Sequence, residues 1–184
     1  MQKVNPSNYE HITPFPDGTD PKSDFVVRII VETPRRTRHK FAFDPKCGLF
    51  KLKLTIPEGL AWPYDYGFVP GTRAADGDPI DILFLCDEPT FSGCLVEGRL
   101  LGIVREKKNG ERNDRLVACA QRIDGISQST DPYEKIGDVP KATIDSIVRF
   151  LTEYSEGSGH EIEIEGIDGR KKALAEIRKT MTAD

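Results

Sequence analysis

Apolar residues in the first two thirds of the chain fall into short runs of the β type. The runs cover residues 25–32, 40–43, 50–54, 80–85, 93–104 and 115–120, and Gly, Pro, Asn or Asp stand between most of them. Short runs rich in β-branched and aromatic residues predict strands, and this spacing is typical of a small antiparallel barrel or sandwich. Between the last two runs, the pair Asn109-Gly110 predicts a tight hairpin.

The pattern becomes helical in the last third of the chain. Asp138 and Pro140 favour a helix start, and five apolar residues then recur at steps of three and four, which predicts an amphipathic helix ending near Gly157. Residues 161–165 alternate like a strand, and residues 171–181 predict a second helix. Strands followed by helices place the chain in the α+β class.

The first 24 residues differ from the rest of the chain. They contain four prolines among Asn, Asp, Ser and Thr, which disfavours both a helix and a continuous strand. We expect an N-terminal arm over residues 1–24 and a single domain over residues 25–184, because 184 residues suit one domain with one sizeable core.

Composition narrows the class of protein further. Lys and Arg total 26 against 30 for Asp and Glu, a formal charge of −4, which argues against binding nucleic acid or anionic membrane by bulk charge. No apolar run approaches the ~20 residues that span a bilayer, and the N-terminus lacks a signal-peptide pattern, so we expect a cytoplasmic protein. Four cysteines without a C-x-x-C pair and three histidines suggest neither a zinc cage nor a disulfide framework.

The densest cluster of candidate chemistry is the run D-G-D-P-I-D, with carboxylates at Asp76, Asp78 and Asp81. Three carboxylates within six residues repel one another unless a hard cation such as Mg²⁺ lies among them. A solvated acidic turn is the alternative, because Asp-Gly and Asp-Pro are ordinary turn formers. The local sequence alone leaves both interpretations open.

Other candidates are also open to two interpretations. The aromatic run at residues 62–67 suits either phosphate binding through Tyr hydroxyls or simple packing. Lys40 and Lys53 lie on β-type runs, where a lysine either points into a cleft as a phosphate ligand or faces solvent.

Taken together, these features resemble the soluble family I inorganic pyrophosphatases. The resemblance runs from about Phe25 to the C-terminal helix and rests on Glu32, Lys40, F-D-P-K-C-G-L-F, W-P-Y-D-Y-G-F-V-P, D-G-D-P-I-D and the helix carrying Tyr154. It implies a small closed OB-like five-stranded β-barrel flanked by two C-terminal helices, with additional short strands. It also implies hydrolysis of pyrophosphate to two orthophosphates by a homo-oligomer, often a hexamer in bacteria, with Mg²⁺ and with Mn²⁺ or Zn²⁺ as substitutes.

The resemblance assigns roles residue by residue. Asp76 and Asp81 match metal ligands, and Asp78 matches the carboxylate that takes a proton from the attacking water. Tyr66 matches a tyrosine at the phosphates and is expected to be catalytic beside Asp78. Asn113 falls on a further metal position. The residues expected to bind substrate are Glu32, Lys40, Lys53, Lys108, Arg115 and Tyr154.

Several positions depart from the family pattern. Counted without gaps from Gly102, two metal-binding aspartates of the family fall on Lys108 and Asn113, and the following lysine falls on Arg115. Losing two carboxylates should weaken dication binding, because they supplied both charge and coordination. Strand alternation is expected to turn the nearby Asp114 to the opposite face. Further departures are Ala42 for glutamate, Lys53 for arginine, Trp62 for tyrosine and Ser155 for lysine.

Three functional hypotheses follow from the resemblance and the departures. The first is a metal-dependent pyrophosphatase in which Lys108 replaces part of the lost cation charge. The second is a phosphohydrolase for another phosphate compound, with Trp62, Ala42 and Ser155 making room or a stacking surface for an organic group. The third is a phosphate-binding homologue with little or no activity.

Overall fold

The computed structural model describes residues 9–120 and 133–182. Within those residues the chain forms nine strands and two α-helices, with 3-10 turns at Tyr9–His11 and Ile136–Asp138. The strands are β1 (Val26–Thr33), β2 (His39–Asp44), β3 (Leu49–Thr55), β4 (Asp65–Phe68), β5 (Asp81–Leu85), β6 (Leu95–Lys108), β7 (Glu111–Arg112), β8 (Arg115–Ala120) and β9 (Ile162–Gly169). The helices are α1 (Lys141–Gly157) and α2 (Arg170–Thr180).

Five of the strands close into a ring. Strand β1 pairs with β4, β4 with β5, β5 in parallel with β8, β8 with β6, and β6 again with β1. Strands β7 and β9 extend this sheet at β6, and β2 and β3 form a separate two-stranded hairpin. A closed ring leaves no unpaired edge within the five strands. The predicted α+β class with a closed five-stranded barrel is confirmed.

Two hydrophobic clusters cover the two sides of the barrel wall. One includes Ala173, Leu174 and Ile177 of α2, which pack with residues of β1, β5, β6 and β8. The other packs Ile147 and Leu151 of α1 against residues of β4, β5, β6 and β8. Alternate residues of β5, β6 and β8 are therefore buried in different clusters, which explains why these strands are apolar at successive positions.

Predicted and observed elements differ most clearly at β4 and at the start of α1. Strand β4 was not among the predicted strands, because its four residues lie inside the aromatic run and show no alternation. Asp138 is not the cap of α1. Helix α1 begins at Lys141 after Pro140, whereas a carboxylate oxygen of Asp138 accepts a hydrogen bond from the Lys135 N–H, 3.1 Å away, in the preceding 3-10 turn.

The Asn109-Gly110 hairpin is present as predicted. Lys108 pairs with Glu111 across the turn, and the two turn residues have positive φ angles of 52° and 82°. Two consecutive left-handed residues are the mark of the tight hairpin turn that Asn-Gly favours. This turn sets the position of the neighbouring ends of β6 and β8.

The described part of the N-terminal arm packs on the barrel. Pro14 and Pro16 are buried, and the Pro14 carbonyl accepts a hydrogen bond from the Arg28 N–H at 2.9 Å. The Tyr9 ring lies 4.8 Å from the Phe43 ring, centroid to centroid. Among the residues that the structure describes, no helix is long and apolar enough to cross a bilayer.

Candidate active site

A cavity of roughly 1870 Å³ lies between the barrel, the β2–β3 hairpin and the C-terminal end of α1. Every residue to which the sequence analysis assigned a catalytic, substrate-binding or metal-binding role lines this cavity. They are Glu32, Lys40, Lys53, Tyr66, Asp76, Asp78, Asp81, Lys108, Asn113, Arg115 and Tyr154.

One wall of the cavity is the acidic loop. Gly77 adopts a φ of 91°, which only glycine takes easily, and the Asp78 N–H donates to the Asp76 carboxylate at 3.1 Å. Asp81 opens β5, opposite Phe68 of β4. Partial desolvation raises the pKa of Asp78, and the nearby carboxylates of Asp76 and Asp81 raise it further. The three carboxylates are therefore close enough to repel one another.

Hard oxygen donors of this kind suit a divalent cation such as Mg²⁺. Lys53 and Lys40 offset part of the repulsion, since their positive charges lower the pKa of Asp78. In residues 9–120 and 133–182, no group of three or more His, Cys, Asp or Glu side chains is already arranged as a metal cage. The loop thus fits a cation by donor chemistry, with the carboxylates not gathered around one point.

Facing the acidic loop, Lys40 lies between two tyrosines. Its ammonium group donates to the Tyr154 hydroxyl at 3.0 Å and lies 5.5 Å from the centre of the Tyr66 ring. Tyr66 is buried, and burial followed by the nearby Asp81 carboxylate raises its phenol pKa well above the ordinary value, although Arg115 acts in the opposite direction. Tyr66 therefore stays a protonated hydroxyl that can donate a hydrogen bond.

Gly67 allows the close strand contact that sets Tyr66 in place. A Cβ atom at this position would lie 2.0 Å from the Ile30 carbonyl oxygen of β1, a distance at which the backbone would have to move. Substitution of Gly67 would thus separate β1 from β4 and shift Tyr66 within the cavity.

Trp62 packs behind the tyrosines and does not face the cavity. Its ring lies 4.8 Å from Tyr66 and 5.2 Å from Tyr154, centroid to centroid, and the residue is 1% exposed. Ser155 is also 1% exposed. The hypothesis that these two residues present a surface to an organic group is therefore wrong, because both belong to the core. Ala42 does line the cavity.

The third wall is the inner face of the β6–β8 pair, with Lys108 and Arg115. Burial lowers the pKa of Lys108, and repulsion from Lys40 and Arg115 lowers it further. Burial also disfavours the charge of Arg115, but Tyr66, Glu106 and other acidic neighbours raise its pKa overall. These cations thus lie close enough to repel one another, which is a suitable environment for a polyanion.

Asp114 also lines the cavity, but its carboxylate contacts Arg105 and not Arg115. Its side chain is 5% exposed and accepts a hydrogen bond from Arg105 at 2.6 Å. Arg105 also contacts Asp168 and Glu176 on β9 and α2. Asp114 therefore belongs to the ion-pair network of Arg105 and does not replace the missing carboxylates.

Glu32 of β1 lies at the back of the cavity. Its carboxylate accepts a hydrogen bond from the Phe43 N–H at 2.8 Å and so ties β1 to the β2–β3 hairpin. Burial raises the Glu32 pKa to about 7; Asp81 and Asp78 also raise it, whereas the Phe43 hydrogen bond and Lys40 lower it. Glu32 consequently keeps its proton to a higher pH than an exposed glutamate does.

Two acidic residues of the site region were given no role by the sequence analysis. Asp65 is fully buried and accepts hydrogen bonds from the Arg35 N–H at 2.7 Å and the Thr90 hydroxyl at 2.6 Å, which ties two loops to β4 next to Tyr66. Glu106 is fully buried and forms an ion pair with Arg115. The sequence could have indicated Glu106, because it lies two residues before Lys108 on a largely apolar strand and so shares a strand face with that lysine.

Comparison with known proteins agrees with the function that the site geometry suggests. The family model described as inorganic pyrophosphatase matches residues 29–183. A curated inorganic pyrophosphatase of Thermus thermophilus is 36% identical over 163 residues, which cover 85% of this chain and 89% of that protein. One from Halalkalibacterium halodurans is 30% identical over 143 residues, covering 76% of this chain and 83% of that protein.

Solved structures agree with these sequence matches. A crystal structure of inorganic pyrophosphatase from Thermus thermophilus superposes with a TM-score of 0.79 at 32% identity, covering 91% of this chain and 95% of that chain. An inorganic pyrophosphatase from Neisseria gonorrhoeae shares the fold, with a TM-score of 0.82 at 24% identity, over 94% of this chain and 95% of that chain. With its family model, its relatives and its fold in agreement, the chain belongs to the inorganic pyrophosphatase family.

Proposed function

We propose that this chain hydrolyses inorganic pyrophosphate to two orthophosphates in the cavity between the acidic loop and the cationic walls. The observation that carries the proposal is the opposition of the two charge types across one cavity. Asp76, Asp78 and Asp81 lie on one wall, and Lys40 and the cations of β6–β8 lie on the others. A pyrophosphate with divalent cations needs both kinds of wall at once.

Asp76 and Asp81 are the proposed metal ligands, with the Asn113 amide oxygen as a neutral third donor. The cofactor is Mg²⁺, for which Mn²⁺ or Zn²⁺ substitutes. When bound, the cation adds positive charge beside the phosphate oxygens and lowers the pKa of a water molecule. With an amide in place of a carboxylate, this chain holds the cation with less negative charge than the family pattern provides.

Asp78 is the proposed general base. The attacking water forms a new oxygen–phosphorus bond and gives one proton to Asp78, while the bridging oxygen–phosphorus bond breaks and the second orthophosphate leaves. The raised pKa of Asp78 suits this role, because a base whose pKa approaches the working pH accepts a proton more readily. Tyr66 keeps its proton and donates a hydrogen bond to an oxygen of the reacting phosphate.

Cationic side chains are proposed to hold the substrate. Lys40, oriented by its hydrogen bond to Tyr154, contacts one phosphate, and Lys53 and Arg115 supply further positive charge. Glu32 holds the hairpin that carries Lys40 and Lys53. Lys108 supplies a fixed positive charge at the position of a family aspartate, so that the protein itself neutralises part of the substrate charge.

Phosphate release from pyrophosphate tests this function, with wild-type protein and Asp78→Asn compared across a Mg²⁺ and Mn²⁺ titration. We expect rapid release by the wild type and a loss of about 10²–10⁴-fold in Asp78→Asn, whose fold should be unchanged. An equally active Asp78→Asn variant would remove Asp78 from the role of base.

A panel of organic phosphates is assayed in parallel. Faster release from one of them would favour a different phosphohydrolase, and binding without release from any would favour a phosphate-binding homologue.

The cellular location, the assembly and the partners of this chain are also proposed by analogy with the family. We expect a cytoplasmic homo-oligomer, with a hexamer as the assembly, and no nucleic-acid or membrane partner. Light scattering coupled to gel filtration measures the assembly directly: a mass six times the 20.6 kDa of one chain is the expected result, and a single-chain mass would contradict it.

A further inference from the structure

Glu106 is a buried acidic group beside the cavity wall that the proposed reaction does not use. The residue has no exposed surface, and its carboxylate forms an ion pair with the Arg115 guanidinium. Apart from that ion pair, neither carboxylate oxygen has a hydrogen-bond partner among the described residues. Burial raises the Glu106 pKa, and the positive charge of Arg115 opposes that rise.

Stability does not explain this arrangement. Removing two charges from water is costly, and a buried ion pair replaced by apolar side chains of similar volume is often as stable or more stable. Val104 and Val117, close by on the same two strands, are fully or almost fully buried apolar residues, so the environment would accept such a pair. A role in the site accounts better for two opposite charges at this depth.

The contacts of Arg115 indicate that role. Its guanidinium lies between the Glu106 carboxylate and the Asp81 carboxylate, the latter 3.9 Å from its Nε atom, and it also donates to the Asn113 carbonyl at 3.3 Å. Arg115 nevertheless lines the cavity. A planar guanidinium held on one side keeps its remaining N–H groups in a fixed direction, and such preorganisation improves the binding of phosphate.

We propose that Glu106 is a positioning residue, which holds the Arg115 guanidinium in the orientation that binds the phosphate end of the substrate. The proposal rests on the proposed function, because it takes pyrophosphate as the ligand. Glu106 itself does not touch the substrate. Glu106 acts through Arg115, whereas Lys108, the next residue on the same face of β6, acts on the substrate directly by its own charge.

Anion binding to four proteins tests the coupling between the two residues: wild type, Glu106→Met, Arg115→Met and the double variant. Calorimetry with methylenediphosphonate, a pyrophosphate analogue that is not hydrolysed, gives each dissociation constant without metal. We expect Glu106→Met to weaken binding about tenfold, and the double variant to bind no more weakly than Arg115→Met alone. Glu106→Gln, whose amide oxygen still accepts a hydrogen bond from Arg115, should recover much of the loss.

Two further measurements separate positioning from a structural role. Urea unfolding of the double variant should give a midpoint equal to or above that of the wild type, although its binding is weakened. Glu165→Gln removes an acidic partner of Lys107 and Arg112 on the outer face and serves as the matched control, with unchanged binding expected.

The positioning role would be overturned if Glu106→Met bound methylenediphosphonate with wild-type affinity. It would also be overturned if the losses of binding free energy in the two single variants simply added in the double variant. Absence of phosphate release by the wild type would overturn the proposed function instead, and the binding cycle would still decide the role of Glu106.

Discussion

The outer and inner faces of the β6–β8 pair carry charged residues in different ways. On the outer face, Arg105 contacts Asp114, Asp168 and Glu176 at 2.6–3.4 Å. On the inner face, the described contacts of Lys108 include no ion pair, and burial and neighbouring cations lower its pKa. On the outer face the cation Arg105 is therefore paired with carboxylates, whereas on the inner face the cation Lys108 has no paired carboxylate among the described residues.

This difference separates charges that support the fold from charges that await a ligand. A charge whose partners are all present in the folded chain stabilises that chain, and its removal affects folding. A partly buried cation next to other cations is unfavourable until an anion arrives, so its removal affects binding. The following predictions compare the two faces.

The largest expected effect is on the outer face. Arg105→Met removes the cation that contacts the Asp114 carboxylate, which is only 5% exposed and keeps Arg112 and the Glu106 N–H as partners. The change should lower the free energy of unfolding by roughly 3 kcal/mol. Turnover per folded molecule should be unchanged. Urea unfolding and an activity assay on the same preparation measure both quantities, and a large loss of turnover with normal stability would contradict the division between faces.

A pH-dependent effect is expected at Glu32 on the cavity side. Because its folded pKa of about 7 lies above its ordinary 4.5, the unfolded chain loses this proton first as pH rises. The folded state then binds more protons, so the contribution of Glu32 falls between about pH 4.5 and 7, by up to about 3 kcal/mol. Urea unfolding of metal-free wild type and Glu32→Gln from pH 4 to 8 should show a stability difference that changes over this window. A constant difference would mean that Glu32 is not held in a desolvating environment.

The smallest expected effect compares two adjacent lysines. Lys107 faces outward and contacts Glu163 and Glu165, whereas Lys108 lines the cavity. Lys108→Met should weaken methylenediphosphonate binding without metal by about tenfold, and Lys107→Met should change it less than twofold. Equal losses in the two variants would show that general charge, not position, determines binding.

Much of this architecture was accessible from the sequence because it depends on local rules. Apolar runs located most strands, and Asn109-Gly110 located the hairpin that presents Lys108. Strand alternation predicted that Asp114 and Arg115 would have different partners, and Asp114 contacts Arg105 whereas Arg115 contacts Glu106. The acidic loop became a metal-site prediction only through the family resemblance, because its local sequence suits a solvated turn equally well.

Other features depend on contacts between distant parts of the chain. The burial of Trp62 follows from Phe150 and Tyr154 of α1, nearly ninety residues later, so the sequence left its role open. The pairing of Glu106 with Arg115 requires β6 and β8 to be in one particular register. Asp65 joins loops that are 25 and 30 residues away in the chain. Such partners become visible only when the strands are assembled.

The central proposal is that the inner face of β6–β8 holds one fixed cation, Lys108, and one neutral amide, Asn113, where the family resemblance places two metal-binding aspartates. Calorimetric Mg²⁺ titration of the wild type and of Lys108→Asp combined with Asn113→Asp tests this claim most directly. We expect at least about tenfold tighter Mg²⁺ binding in the double variant, because two carboxylates return to the cavity and one cation leaves it. Equal Mg²⁺ affinity in the two proteins would contradict this proposal.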